Sequence, residues 1–96
     1  QESWPTMKFE WDPNKANFNV LKHGVTFDEA ASVFLDGLAV SGPDPDHSEG
    51  EERYITFGES GIGRLIAVSH TYRPGAIRII IARCATRRER RIYEED

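Results

Sequence analysis

At 96 residues the chain is long enough for one domain with a single modest core. With 39% hydrophobic and 29% charged residues it is neither disordered nor low-complexity, and no apolar run approaches the ~20 residues that a membrane helix requires. The net charge of −4 hides a division: residues 1–52 carry three Lys against eleven Asp/Glu, while residues 53–96 carry nine Arg against five Asp/Glu.

One cysteine, Cys84, excludes an internal disulfide and a multi-cysteine zinc site and fits a reducing, cytoplasmic setting. No charged, apolar, small-residue order of a secretory signal is visible. Residues 1–6 precede the only methionine, Met7, and are read as a cloning remnant or a native leader; 7–96 are read as the single domain.

In chain order, the alternating stretch 8–11 predicts an edge strand. Asp12 as N-cap and Pro13 at the first helical position open a helix that runs to about His23, closed by Gly24. Thr26 and Glu29 form a capping box for a second helix, whose buried stripe would be Phe27, Ala30, Ala31, Phe34 and Leu35, ending near Asp36–Gly37. Residues 38–42 suggest a short strand, and 43–52, with two prolines, a glycine and many acids, a polar loop. Strands at 52–59, 64–72 and 76–83 follow, separated by turns at "SGIG" and "RPGA". Thr86 and Glu89 make a second capping box and start a last helix to about Glu95. The fold class is α+β: a short strand, two helices, an antiparallel meander of three or four strands, and a C-terminal helix.

A four-residue turn at 60–63 pairs Glu59 with Arg64, setting Arg53 opposite His70 and Glu52 opposite Thr71. The next turn pairs Tyr72 with Ile77, setting Thr71 opposite Arg78 and His70 opposite Ile79. One face then holds Ile55, Phe57, Ile66, Val68, Ile77, Ile79 and Ile81 under the helices. The other holds Tyr54, Thr56, Ala67, Ser69, Thr71, Arg78, Ile80 and Ala82.

In this register Glu52, Thr71 and Arg78 form a row on the open face, while Arg53 and His70 are neighbours at the same end of the sheet on the core face. Lys22 and His23 stand nearby at the end of the first helix, and the arginines of the last helix are within reach. Such a set holds what metal-free cleavage of an RNA phosphodiester needs: Glu52 or His70 as base or acid, and Arg53, Arg78 and Arg83 to hold phosphate. Structural readings stand beside each. Glu52 and Arg78 make a cross-strand ion pair, His70 is a satisfied histidine, His23 answers a helix dipole, and Cys84 is a small buried hydrophobe. The acidic first part and the basic second part also match each other internally. Asp44, Asp46 and His47 are a weak cation set. Arg87 and Arg88, in the first turn of the last helix, run against its dipole, which points to a partner carboxylate, an acidic protein or a phosphate between Arg83 and the helix start.

The segments "MKFEWDPNKANFNVLKHGVTFDEAASVFLD", "DHSEGEER" and "RIIIARCATRRERRIYEE" resemble, in order and spacing, the BrnT family of ribonuclease toxins of type II toxin–antitoxin modules. The likeness spans nearly all of Met7 to Glu95. Its distinctive pieces are Lys22-His23-Gly24-Val25, Glu51-Glu52-Arg53, and Arg78 through Arg83 followed by Thr86 and Glu89-Arg90. The resemblance implies a RelE-like fold and a metal-independent ribonuclease, without cofactor, that blocks translation and acts on RNA, ribosome-associated or free. It also implies neutralisation by a BrnA-like antitoxin in a heterotetramer, with operator DNA bound only through the antitoxin. By position Glu52, Arg53, Arg78 and Arg83 match the family's charged motif residues; Lys22, His23, Arg87 and Arg88 would help bind RNA. The other reading is a non-catalytic module whose arginine cluster docks an acidic protein or a nucleic acid.

Overall fold

The computed structural model describes residues 7–44 and 51–95. The reading of 1–6, and that of Asp46 and His47 as cation ligands, fall outside the described residues. One mixed sheet of five strands, in the order β1-β5-β4-β3-β2, carries the fold. The strands are β1 (Lys8–Glu10), β2 (Val40–Pro43), β3 (Tyr54–Glu59), β4 (Leu65–Arg73) and β5 (Ala76–Cys84); the helices are α1 (Pro13–His23), α2 (Phe27–Ser32) and α3 (Arg87–Glu95). Strands β2 to β5 form the expected antiparallel meander, and β1 joins its edge in parallel with β5.

Local signals placed the helices. Asp12 accepts a hydrogen bond from the Asn14 amide at 2.8 Å, Pro13 opens α1, and Gly24 closes it at φ 70°. The only buried residue of α1 is Asn19, and the helix sits beside β5 beyond the end of β1. There the Asn19 side chain acts as a strand partner. Its Nδ2 donates to the carbonyls of Val25 (2.9 Å) and Ala82 (2.7 Å), and its Oδ1 accepts from the Ala82 amide at 3.1 Å. These bonds satisfy backbone groups that would otherwise be buried without partners.

Thr26 caps α2 through the Glu29 amide at 2.9 Å, but the Glu29 carboxylate does not complete the box. It turns to Arg64 and accepts from Ser60 Oγ at 2.7 Å, tying α2 to the turn between β3 and β4; the Arg64 guanidinium holds its carboxyl below the usual range. The expected stripe also breaks at its end. After Ser32 the chain tightens into a 3-10 turn, Val33–Leu35, which buries Val33 and leaves Leu35 88% exposed. Gly58 lies under this turn: a Cβ on it would stand 2.7 Å from Val33 Cγ1.

The register differs from expectation in two places. The loop between β3 and β4 is closed by the Ser60 amide bonding the Arg64 carbonyl at 2.8 Å, with Gly63 at φ 84°, so Glu59 pairs with Leu65 instead of Arg64. A left-handed glycine near the end of a short hairpin loop produces this geometry. Tyr54 therefore faces His70, and one further step puts Arg53 opposite Thr71, in the place expected for Glu52. Between β4 and β5 the pairs Tyr72–Ile77, Thr71–Arg78 and His70–Ile79 are as expected, but Ser69 then pairs with Ile81, leaving Ile80 as a bulge.

The two shifts sort the side chains. Ile66, Val68, Ile79 and Ala82 join Val25, Phe27, Ala30 and Val33 in the core, with Thr56 and His70 buried on the same side. Ile55, Phe57 and Ile81, expected in the core, lie on the other face. Cys84 is exposed rather than buried. Among the described residues no helix is long and apolar enough to cross a membrane.

Candidate active site

Paired positions lay three rows across the open face. The rows are Glu10–Arg78–Thr71, with Arg53 one step beyond the last β3–β4 pair, Ile81–Ser69–Ile55–Gly42 and Arg83–Ala67–Phe57–Val40. Over these rows lie two hollows that meet at Ile81.

The smaller hollow, about 270 Å³, lies between α1 and the sheet. Lys15, Lys22 and His23 reach it from the helix and Arg53 from the start of β3, over Ile80 and Ile81. Its described lining holds four basic side chains and no carboxylate. Arg53 makes no ion pair with any described residue, and its buried Nε has no hydrogen-bond partner among them. Lys22 Nζ stands 5.9 Å from the centre of the Phe18 ring. Arg53 is half-buried, and an unpaired buried N–H such as its Nε is costly, a cost that an incoming anion relieves.

The larger hollow, about 520 Å³, runs from β2 across the sheet to α3. Ile55, Phe57 and Ile81 make its floor. Asp44, buried at the end of β2, accepts from Ser69 Oγ at 3.1 Å, and its amide bonds the Arg53 carbonyl. At the other end Arg83 grips Glu89 with both arms of its fork, at 2.7 and 2.9 Å, which holds the Glu89 carboxyl below its usual range and raises Arg83. Glu89 also accepts from the Thr86 amide, and Thr86 Oγ1 accepts from the Glu89 amide, so this capping box is complete. Arg88 lines the hollow; Arg87 is exposed outside it, and neither forms an ion pair with a described residue. Tyr93 donates to Asp36 at 2.6 Å, pinning α3 and pushing the phenol up to about 12.

Of the residues expected to carry chemistry, Arg53, Lys22 and His23 come together, and Arg83 and Arg88 lie at the adjoining hollow. Arg78 sits in the Arg53 row but pairs with Glu10 at 3.1 Å. Glu52 turns the other way: Tyr54 Oη donates to its carboxylate at 2.8 Å on the helix side of the sheet, so Glu52 forms no row with Thr71 and Arg78. His70 is fully buried on that same side. Its Nε2 bonds Thr56 Oγ1 at 2.8 Å, and its ring stands edge-on to Phe34 and Tyr72. Burial lowers its pKa to about 4, a neutral core histidine with no path to the open face. The expected nearness of Arg53 and His70 fails with the register, since the two point to opposite faces.

The internal charge match is real for part of the molecule. Arg64, Arg73 and Arg78 pair with Glu29, Glu51 and Glu10, each bond joining the basic part to the acidic part. Lys15 and Asp44 were not singled out for this face. Lys15 is readable in hindsight, two turns before Lys22 on α1, whereas Asp44 was hidden in an acid-rich loop.

Fold and site together define an α+β protein with an anion-seeking hollow beside a half-apolar cleft on one face of its sheet. Residues 11–89 match the family described as the ribonuclease toxin, BrnT, of type II toxin–antitoxin systems, and the chain belongs to that family. Its structure is similar to the crystal structure of the Brucella abortus ribonuclease toxin BrnT, 28% identical, with a TM-score of 0.64 over 85% of this chain and 100% of that one. No curated protein sequence matches.

Proposed function

We propose that this chain is an endoribonuclease that cleaves RNA without a metal, by attack of the ribose 2′-OH on the adjacent phosphate. The hollow lined by Lys15, Lys22, His23 and Arg53, with no carboxylate in its described lining, is the observation that carries this reading. Arg53 holds the phosphate as negative charge grows on it, Lys15 and Lys22 steer the backbone in, and His23 is the side chain there able to move a proton. Glu52 and His70 have no part in the step. Arg78 and Arg83 act as positioning groups at the two ends of the face. We extend the reading to cytoplasmic action, a block of translation on free or ribosome-bound RNA, and neutralisation by a BrnA-like antitoxin; membership of a type II toxin–antitoxin family supports it. In this reading two toxins and two antitoxins assemble, and operator DNA is held through the antitoxin alone.

Labelled RNA incubated with the protein in EDTA tests this. The expected products carry 2′,3′-cyclic phosphate ends, and Arg53→Ala lowers the rate about 100-fold or more while leaving the melting temperature within a few degrees. Cleavage that needs added metal, or that survives Arg53→Ala unchanged, overturns it. A non-catalytic module is the second reading, favoured by the commitment of Glu52, His70 and Arg78 to partners elsewhere. Tight RNA binding with no product from a folded protein would establish that alternative.

A further inference from the structure

The helix that walls the cationic hollow brings more than charge to it. Lys15, Phe18, Asn19, Lys22 and His23 all line the hollow, and their spacing makes them a single stripe along α1. A helical stripe that faces a sheet is ordinarily apolar and buried. Here the one buried member is Asn19, clamped onto Ala82, which fixes the angle of α1 and holds the rest of the stripe in place. Phe18 lines the hollow and yet is 63% exposed, so its ring stands at the mouth. It lies outside the core cluster formed by the described residues. A lone exposed phenylalanine is commonplace. This one has a lysine one turn away on either side, on the same stripe, and Arg53 reaching the same hollow from just before β3.

We propose that the Phe18 ring is a stacking platform for a base of the strand whose phosphate the hollow holds, and that it restricts the substrate to unpaired RNA. The inference rests on the nuclease reading for its biological sense, but not for its test. An aromatic ring set among cations that track the backbone is the combination that holds single strands, because every base has a flat face to offer it. In a duplex those faces are covered by neighbouring bases, so only an unpaired strand can turn one onto Phe18. The Lys22 ammonium lies over the ring, 5.9 Å from its centre, at the outer limit of a cation–π contact. A phosphate draws that ammonium to itself and leaves the face of the ring to the base. The whole chain carries a net charge of −4, which opposes long-range attraction of a polyanion. Stacking adds affinity that does not depend on net charge, and a stacked base holds its own ribose, which sets the phosphate that meets Arg53. An acidic peptide would use the same cations, but it asks of residue 18 only apolar area, which leucine supplies as well as a ring.

Fluorescence anisotropy of the whole protein with a labelled single-stranded 2′-O-methyl RNA, which lacks the attacking hydroxyl, tests the platform. The same strand with abasic central residues keeps every phosphate and loses the bases, and annealing to its complement keeps the bases but covers their faces. The unaltered protein is expected to bind the base-bearing single strand about tenfold tighter than the abasic one, and more tightly than the duplex. Phe18→Leu should bring base-bearing and abasic strands within about threefold, while Phe18→Trp keeps the preference and all three proteins bind the abasic strand alike. Because the ring is mostly exposed, both variants should melt within a few degrees of the natural sequence. Equal binding of base-bearing and abasic strands, a duplex bound as tightly as the single strand, or an undiminished preference in folded Phe18→Leu overturns the inference. Binding of no oligonucleotide overturns it too. Should Phe18→Leu fail to fold, the abasic and duplex comparisons on the unaltered protein decide alone. Cleavage of ordinary RNA by a protein that binds base-bearing and abasic strands alike removes the platform and leaves the nuclease. A base preference lost in Phe18→Leu, with no cleavage of any RNA, does the reverse.

Discussion

His70 allows a quantitative test of the placement that separates core from site. Its ring is fully buried and neutral, and burial lowers its pKa from 6.5 to about 4. The unfolded chain therefore binds a proton that the folded chain refuses between these values, and stability falls as pH drops through that window. At about 1.4 kcal/mol per unit the whole window is worth about 3 kcal/mol, of which about 2 kcal/mol is lost between about pH 7.5 and about pH 5. The stabilising carboxylates Glu29, Asp36 and Glu89 have lowered values, so their contributions are present above the ordinary carboxyl range and fade only as pH falls below it. They are nearly silent in this interval. His70→Phe keeps an aromatic ring beside Phe34 and Tyr72, and Thr56 Oγ1 retains its bond to Ser41 Oγ at 2.7 Å. Urea unfolding at the two pH values should show a loss of about 2 kcal/mol for the natural sequence and under about 0.5 kcal/mol for His70→Phe. RNA cleavage by the variant should be unaltered. Equal acid losses in the two proteins would refute the burial of a neutral His70, and abolished cleavage in a folded variant would return His70 to the site.

Other perturbations report on the joints that hold the open face in shape. Asn19→Ala removes three buried hydrogen bonds and strands the Val25 carbonyl and both backbone groups of Ala82; a loss of about 3 kcal/mol, seen as a fall in Tm of about 10 °C or more, is expected. Glu29→Ala frees Arg64 and Ser60 and should cost about 2 kcal/mol in urea unfolding. A double-mutant cycle with Arg64→Ala should give a coupling near 1 kcal/mol, because the Arg64 side chain is 39% exposed. Gly58→Ala drives a methyl into Val33 and should destabilise by about 1–3 kcal/mol in the same assay, without a change in RNA affinity per folded molecule.

What the sequence determined by itself was local. Asp12-Pro13, Gly24 and Thr86 with Glu89 mark helix ends because a cap is satisfied within a few residues, and each is where the pattern puts it. The strand order of the meander followed from short turns, and the family likeness from ordered motifs. Tertiary structure decided which face each side chain of the sheet looks toward. That choice turns on one residue of register at Gly63 and one bulge at Ile80, and a period-two strand converts each into a change of side. Ile55, Phe57 and Ile81 thereby become the floor of a cleft, Arg53 turns outward to the lysines of α1, and His70 turns inward. Long-range partners were equally hidden. The Glu29 carboxylate could satisfy its own helix or reach Arg64, and only the folded chain brings Arg64 near enough to win. Arg83, six residues before a capping glutamate, was readable as a phosphate ligand until folding placed Glu89 in its fork.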